Sequence, residues 1–83
     1  MIIIIMIWTE KDFHKIKARD PEVFSKLYKE YKTNIYNYII IKVNGNKDIA
    51  DDILSDTFHS AFISAPKLKN INKLSSWLFQ IAN

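Results

Sequence analysis

Residues 48–83 read DIADDILSDTFHSAFISAPKLKNINKLSSWLFQIAN. This stretch decides the fold, because it holds two helical patterns separated by a breaker. Ile49, Ala50, Ile53, Leu54, Thr57, Phe58, Ala61 and Phe62 recur at the spacing of a helix and make one continuous apolar stripe. The stripe predicts a helix facing the core, with Asp48 as its N-cap. Ala65-Pro66 stops it, since the residue before a proline is pushed out of the α region. A loop of Lys and Asn follows to about Asn72, itself a candidate cap for the next helix. Leu74, Trp77, Leu78, Ile81 and Ala82 then share one face of a last helix.

Working outward, Asn44-Gly45-Asn46 marks the end of an earlier helix, because Gly and Asn accept the left-handed backbone that closes one. That earlier helix starts at Asp20-Pro21, with Asp suited to the cap and Pro to the first helical position. Phe24, Leu27, Tyr28, Tyr31, Ile35, Tyr38 and Ile39 carry its apolar pattern to about Val43. A shorter pattern with Phe13 and Ile16 lies upstream, and Thr9 with Asp12 three residues on resembles a capping box. The expected architecture is all-α: a small orthogonal or antiparallel helical bundle of three main helices plus a short N-terminal helix.

Composition agrees with that reading. The chain has 83 residues, 48% hydrophobic and 25% charged, with one Gly and two Pro. So few backbone breakers favour helices over strands and loops. The length suits a single domain over residues 1–83. There is no Cys, which excludes a disulfide framework and a thiolate metal site and fits a reducing compartment. The opening MIIIIMIW is far too short to span a bilayer and lacks the basic region and cleavage site of a signal peptide. It is expected to pack on the bundle, to pair with a second chain, or to be an accident of where the sequence begins. The protein is expected to be cytoplasmic, without membrane insertion.

Net charge is +3, which permits nucleic-acid binding without demanding it. Its distribution is more telling. Asp48, Asp51, Asp52 and Asp56 cluster in one helix, and beyond Asp56 the only charged side chains are Lys67, Lys69 and Lys73. Two partners of different charge would explain such a division, although a charge run is more often plain solvated surface. Opposite the apolar stripe lie Asp52, Ser55, Asp56, His59 and Ile63, at i, i+3, i+4, i+7 and i+11. Carboxylates one turn apart repel slightly, and a basic partner turns that repulsion into attraction. Asp52, Asp56 and His59 could ligate a metal by spacing, but nothing nearby completes a site, so none is expected. Ser55 and His59 lack the orienting acid and oxyanion donors of a hydrolase, and His14 reads as a surface or boundary residue. No catalysis and no cofactor are expected.

The loop and last helix offer a different chemistry. Lys67, Lys69 and Lys73 can neutralise phosphates, and Asn70 and Asn72 can pair with an unpaired base edge. Lys73, Ser76, Gln80 and Asn83 line the helix face away from the core. Where a basic loop of this kind binds a single strand of nucleic acid, an aromatic platform is also needed. Phe79, off the apolar stripe, is the expected one, and Trp77, on it, is expected in the core.

Three motifs in order resemble the region 2 domain of bacterial RNA polymerase sigma factors of the extracytoplasmic-function (ECF) group. DPEVF followed by LYKEY is similar to the DPEAF and LYREY of the family's first long helix. IADDILSDTF, from Ile49 to Phe58, is similar to its acidic helix, and WLFQIAN, from Trp77 to Asn83, to its W-L-x-x-I-A-x-N helix. The resemblance runs from about Asp12 to Asn83. It implies a domain that docks on core RNA polymerase, at the clamp helices of the largest subunit, through Asp52, Ser55, Asp56, His59 and Ile63. It also implies that the loop and last helix hold the single non-template strand of the promoter minus-ten element, with Lys67, Lys69, Asn70, Asn72, Lys73, Ser76, Phe79, Gln80 and Asn83 as DNA-binding residues. An anti-sigma factor is a further partner that the family allows.

The chain departs from the family's pattern in three places. Ser55 stands where Gln is usual, which shortens the reach of that hydrogen bond. Gln80 stands where Arg is usual. Asn83 occupies the variable position before the family's Asn. The sequence is thus expected to be a fragment of a longer chain, without the C-terminal helix-turn-helix domain. The alternative is a non-catalytic helical protein–protein interaction module, a dimerisation unit or adaptor. A duplex-reading helix-turn-helix is disfavoured by the long loop before Leu74.

Overall fold

The computed structural model describes residues 8–83, and among these every regular element is helical. The order is α1 (Glu10–Lys17), α2 (Pro21–Lys42), α3 (Lys47–Ser64), two short 3-10 turns (Ala65–Lys67 and Ile71–Lys73) and α4 (Leu74–Ala82). This is the expected all-α arrangement of three main helices and a short first one. The apolar opening, Met1 to Ile7, lies outside the described residues.

Local chemistry sets each boundary. The Oγ1 of Thr9 accepts from the Asp12 N–H, and the Asp12 carboxylate accepts from the Thr9 N–H, a complete capping box. That N–H bond and a 3.2 Å ion pair to Lys26 hold the Asp12 carboxyl below its ordinary value, against burial, which pushes it up. Arg19 and Asn44 take the left-handed backbone at φ 60 and 55, ending α1 and α2 in the same way. After α1 the Arg19 N–H reaches Ile16 O and the Asp20 N–H reaches Lys15 O; after α2 Asn44 and Gly45 repeat the pattern onto Ile41 O and Ile40 O. Asp20 also caps α2, its Oδ1 accepting from Glu22 and Val23.

Two expected caps move. Asn46 rather than Asp48 caps α3, its Oδ1 accepting from the Ile49 N–H at 3.1 Å. The left-handed pair Asn44-Gly45 turns the chain quickly enough for the helix to begin two residues early, which places Asp48 in the first turn. There its charge faces the positive end of the helix dipole. Asn70 rather than Asn72 does the capping before α4, its Oδ1 accepting from the Asn72 N–H at 2.8 Å. The intervening Ile71–Lys73 turn leaves the first position of α4 without a side-chain cap.

The core is one cluster. Ile16 of α1, Leu27, Ile35 and Ile39 of α2, and Leu74 and Leu78 of α4 are essentially fully buried. Each such side chain contributes roughly 1.5–3 kcal/mol on leaving water. From α3 the buried set is Ala50, Leu54, Thr57 and Ala61, mostly small, so its backbone comes close to α2 and α4. The Thr57 hydroxyl donates to Ile53 O at 2.7 Å, so its burial costs little. The expected stripe on α3 is therefore too wide. Ile49 and Phe62 sit about 100–120° round the helix from Ala50 at 3.6 residues per turn, and both are exposed. Phe62 nonetheless meets Phe24 edge-on at 5.2 Å, while Tyr28 meets Phe58 and Tyr38 meets Phe79 in the same way. Such pairs contribute about 0.5–1.5 kcal/mol each beyond area and lock α2 against α3 and α4.

Trp8 fastens the start of the described chain. It stacks on Tyr31 at 6.3 Å, with the Lys26 ammonium 4.5 Å from its ring. Burial pushes the Tyr31 phenol above its ordinary value, partly offset by hydrogen bonding to Ser75 of α4.

Candidate functional site

Two surfaces of opposite charge emerge from this packing. The first is the outer face of α3. Ala50, Leu54, Thr57 and Ala61 turn inward, so the opposite side of the helix must carry Asp52, Ser55, Asp56, His59 and Ile63, and all five are exposed. Ile63 is 55% exposed, an apolar side chain left in water at the end of a polar strip. Among the described residues, neither Asp52 nor Asp56 has a salt-bridge partner. Asp48 and Asp51 add to the negative potential near the start of the helix.

The second surface is an open groove of about 730 Å³ where the loop meets α4, lined by Lys67, Leu68, Lys69, Asn70, Lys73, Ser76, Trp77 and Gln80. Its path follows from alternating anchors. Ala65, Leu68 and Ile71 are buried and pin the loop to the core. Lys67, Lys69 and Asn70, lying between those anchors, are forced outward. The Leu68 N–H bonds to Ala65 O and the Lys73 N–H to Asn70 O, closing a turn at each end. Lys73, at the end of the second turn, and Ser76, Trp77 and Gln80 of α4 fall at i, i+3, i+4 and i+7 and make the other wall.

The groove joins six residues expected from sequence: Lys67, Lys69, Asn70, Lys73, Ser76 and Gln80. Three others lie elsewhere. Asn72 is exposed beside the groove but does not line it. Phe79 is half-buried and packs edge-on against Tyr38 of α2 at 5.4 Å. The Oδ1 of Asn83 accepts from the Tyr38 hydroxyl and from Lys42 Nζ, which ties the end of α4 to α2. The aromatic in the groove is Trp77, half-buried, with one part against the core and another against the groove. Spacing on α4 held the signal, since Trp77 is one turn from both Lys73 and Gln80.

Three ammonium groups, two amides and an indole, with no carboxylate in the lining, suit a ligand that is anionic and aromatic at once. The carbonyl oxygen of Asn70 is used by the loop, which leaves its amide N–H donors for such a ligand. Gln80 offers a donor and an acceptor beside the ring. Among the described residues, no three His, Cys, Asp or Glu side chains come together as a metal-ligand set. No described helix is long and apolar enough to cross a membrane.

No family model matches the chain, and no solved structure matches it. One curated protein does. The ECF RNA polymerase sigma factor SigW of Bacillus subtilis (strain 168) is 29% identical over 73 residues, which cover 88% of this chain and 38% of that protein. The chain therefore spans well under half the length of the relative it matches. The match supports a sigma-factor-like chain.

Proposed function

We propose that this chain is a region 2 domain of a sigma factor, which docks on core RNA polymerase and holds the opened minus-ten element of a promoter. The outer face of α3, with Asp52, Ser55, Asp56, His59 and Ile63, is the docking surface for the clamp helices of the largest subunit. A basic partner gains from the adjacent carboxylates, and Ile63 adds an apolar contact at the end of the strip. The groove takes the non-template single strand. Lys67, Lys69 and Lys73 neutralise phosphates, and each such contact releases counterions and makes binding salt-dependent. Trp77 is the stacking platform, and Asn70 and Gln80 read the edge of a stacked base. The domain carries out no catalysis; the chemistry belongs to the polymerase. Its place of action is the cytoplasm.

The observation that carries this reading is the groove itself, an indole set among three lysines that shares no residue with the acidic helix face. The test has two arms. Fluorescence anisotropy with a labelled single-stranded oligonucleotide should show binding that weakens steeply with salt. A pull-down with core polymerase, or with its clamp-helix fragment, should retain the chain. Absence of both interactions would sink the proposal.

One observation favours a second reading, a helical protein–protein interaction module. Ile41 of α2 is 77% exposed and Ile49 of α3 is 46% exposed, apolar surface that the first reading leaves unused. Sedimentation that shows a tight dimer covering the Asp52–Asp56 face would favour it.

A further inference from the structure

The last turn of α3 holds no basic residue of its own, whereas α1 ends with His14, Lys15 and Lys17 and α2 with Lys42. The missing charge arrives from another part of the chain. Arg19, in the corner between α1 and α2, donates from Nε to Phe62 O and from a terminal nitrogen to Ile63 O, both at 2.8 Å. These are carbonyls of the last turn of α3, which lack partners within the helix. The guanidinium also lies 5.8 Å from the Phe62 ring. The Arg19 backbone sits at φ 60, a conformation that costs a non-glycine residue some stability. A glycine there would be more comfortable but could not reach α3.

What Arg19 holds is the base of the groove wall. Two residues beyond Ile63 the chain enters the Ala65–Lys67 turn, and Lys67, Leu68, Lys69 and Asn70 follow as groove lining. α1 also packs directly on that turn, with Ile16 and Ala65 both fully buried. Arg19 itself does not line the groove. We infer that Arg19 is a positioning residue: its guanidinium clamps the end of α3 and so presets the path of the Lys67–Asn70 loop before a single strand arrives. The inference rests on the proposed single-strand groove. It goes beyond that reading by placing a determinant of affinity in a corner that touches no DNA.

Two variants separate this role from its competitors. Arg19→Gly relaxes the left-handed backbone while removing the guanidinium, so its fold is retained; Arg19→Lys keeps a cation but not the two-pronged donor. Binding of a labelled single-stranded oligonucleotide should weaken about fivefold in Arg19→Gly, as the loop must then be ordered on binding, and recover in part in Arg19→Lys. The slope of log affinity against log salt should stay at the wild-type value in both. In two-dimensional amide NMR without DNA, the Lys67 to Lys73 resonances and the Trp77 indole should shift in Arg19→Gly. A slope that falls by about 0.7, with unmoved loop resonances, would make Arg19 a direct phosphate contact and overturn the inference. Unchanged affinity with unmoved resonances overturns it as well. If the wild-type chain binds no single strand at any salt, the groove reading fails, and this inference with it; if wild type binds and only the Arg19 expectations fail, the groove reading stands.

Discussion

The acidic face of α3 and the basic groove beside α4 differ in how they are built. The acidic face belongs to one helix. Once Ala50, Leu54, Thr57 and Ala61 are buried, the helical period alone sends Asp52, Ser55, Asp56, His59 and Ile63 to the opposite side. The groove needs the end of α3, two 3-10 turns and one face of α4 to meet. Its shape depends on which loop residues are pinned to the core. A surface made by one periodic element tolerates change without altering its geometry, whereas a surface made by a loop and a helix can be lost by moving either. On the proposed reading the two surfaces serve different partners, so variants should separate them.

The largest expected effect tests that separation. Asp52→Arg combined with Asp56→Arg reverses the charge of the docking strip without touching the core. Binding to core polymerase should fall by at least about a hundredfold, since like charges then face a basic partner. Binding of a single-stranded oligonucleotide should remain within about a factor of two, or tighten slightly through added positive charge. If polymerase binding survives, the α3 face is not the docking surface, and the comparison loses one of its two terms.

Next in size is a pair of aromatic substitutions on α4. Trp77→Ala should weaken single-strand binding about tenfold, in line with the roughly 1–3 kcal/mol of a base–aromatic stack. Trp77→Phe, which keeps a ring, should recover most of it. Phe79→Ala should instead lower stability in thermal or urea unfolding, by about 2 kcal/mol, because it removes the edge-on contact with Tyr38. Its effect on strand affinity, measured well below the unfolding midpoint, should be small. The opposite result, with Phe79 dominating affinity, would mean that the strand runs outside the groove. A finer probe is Lys69→Ala, which should reduce the salt slope by about 0.7, the signature of one lost phosphate contact on a single strand.

These two aromatics show where sequence reading succeeds and where it stops. The helices, their order and the acidic face follow from apolar periodicity and from the cap signals at Thr9, Asp20 and Asn44-Gly45, which act over a few residues. Six groove residues were also legible: Lys67, Lys69, Asn70 and Lys73 because charged and amide side chains in a loop turn outward, and Ser76 and Gln80 because the helical period sets them opposite the core face of α4. Trp77 and Phe79 lie two residues apart on α4, and both are half-buried. Only the approach of α2 decides that Phe79 meets Tyr38 while Trp77 borders the groove. The exposure of Ile49 and Phe62 has a related cause. A stripe shows that a face is apolar but not how much of it two neighbouring helices can cover. Arg19 left no trace in the local pattern, since its partners Phe62 and Ile63 are more than forty residues away.

The smallest effect concerns the entry to the acidic helix and sharpens the claim that α3 needs no help from the loop. Asn46 caps α3 through its hydrogen bond to the Ile49 N–H, whereas Asp48 contributes charge in the first turn. Asn46→Ala removes the bond and leaves a helix donor unpaired, a change that costs about 1 kcal/mol. Asp48→Ala removes only the interaction with the helix dipole, about 0.5 kcal/mol at low salt, and less as salt screens it. Urea unfolding at low and high salt resolves the two, because the Asn46 effect should persist and the Asp48 effect should fade. Neither substitution should disturb single-strand binding, since the groove is assembled at the other end of α3. A loss of strand affinity in Asn46→Ala, at concentrations where the chain remains folded, would show that the two ends of α3 are coupled and that the surfaces are less independent than their construction implies.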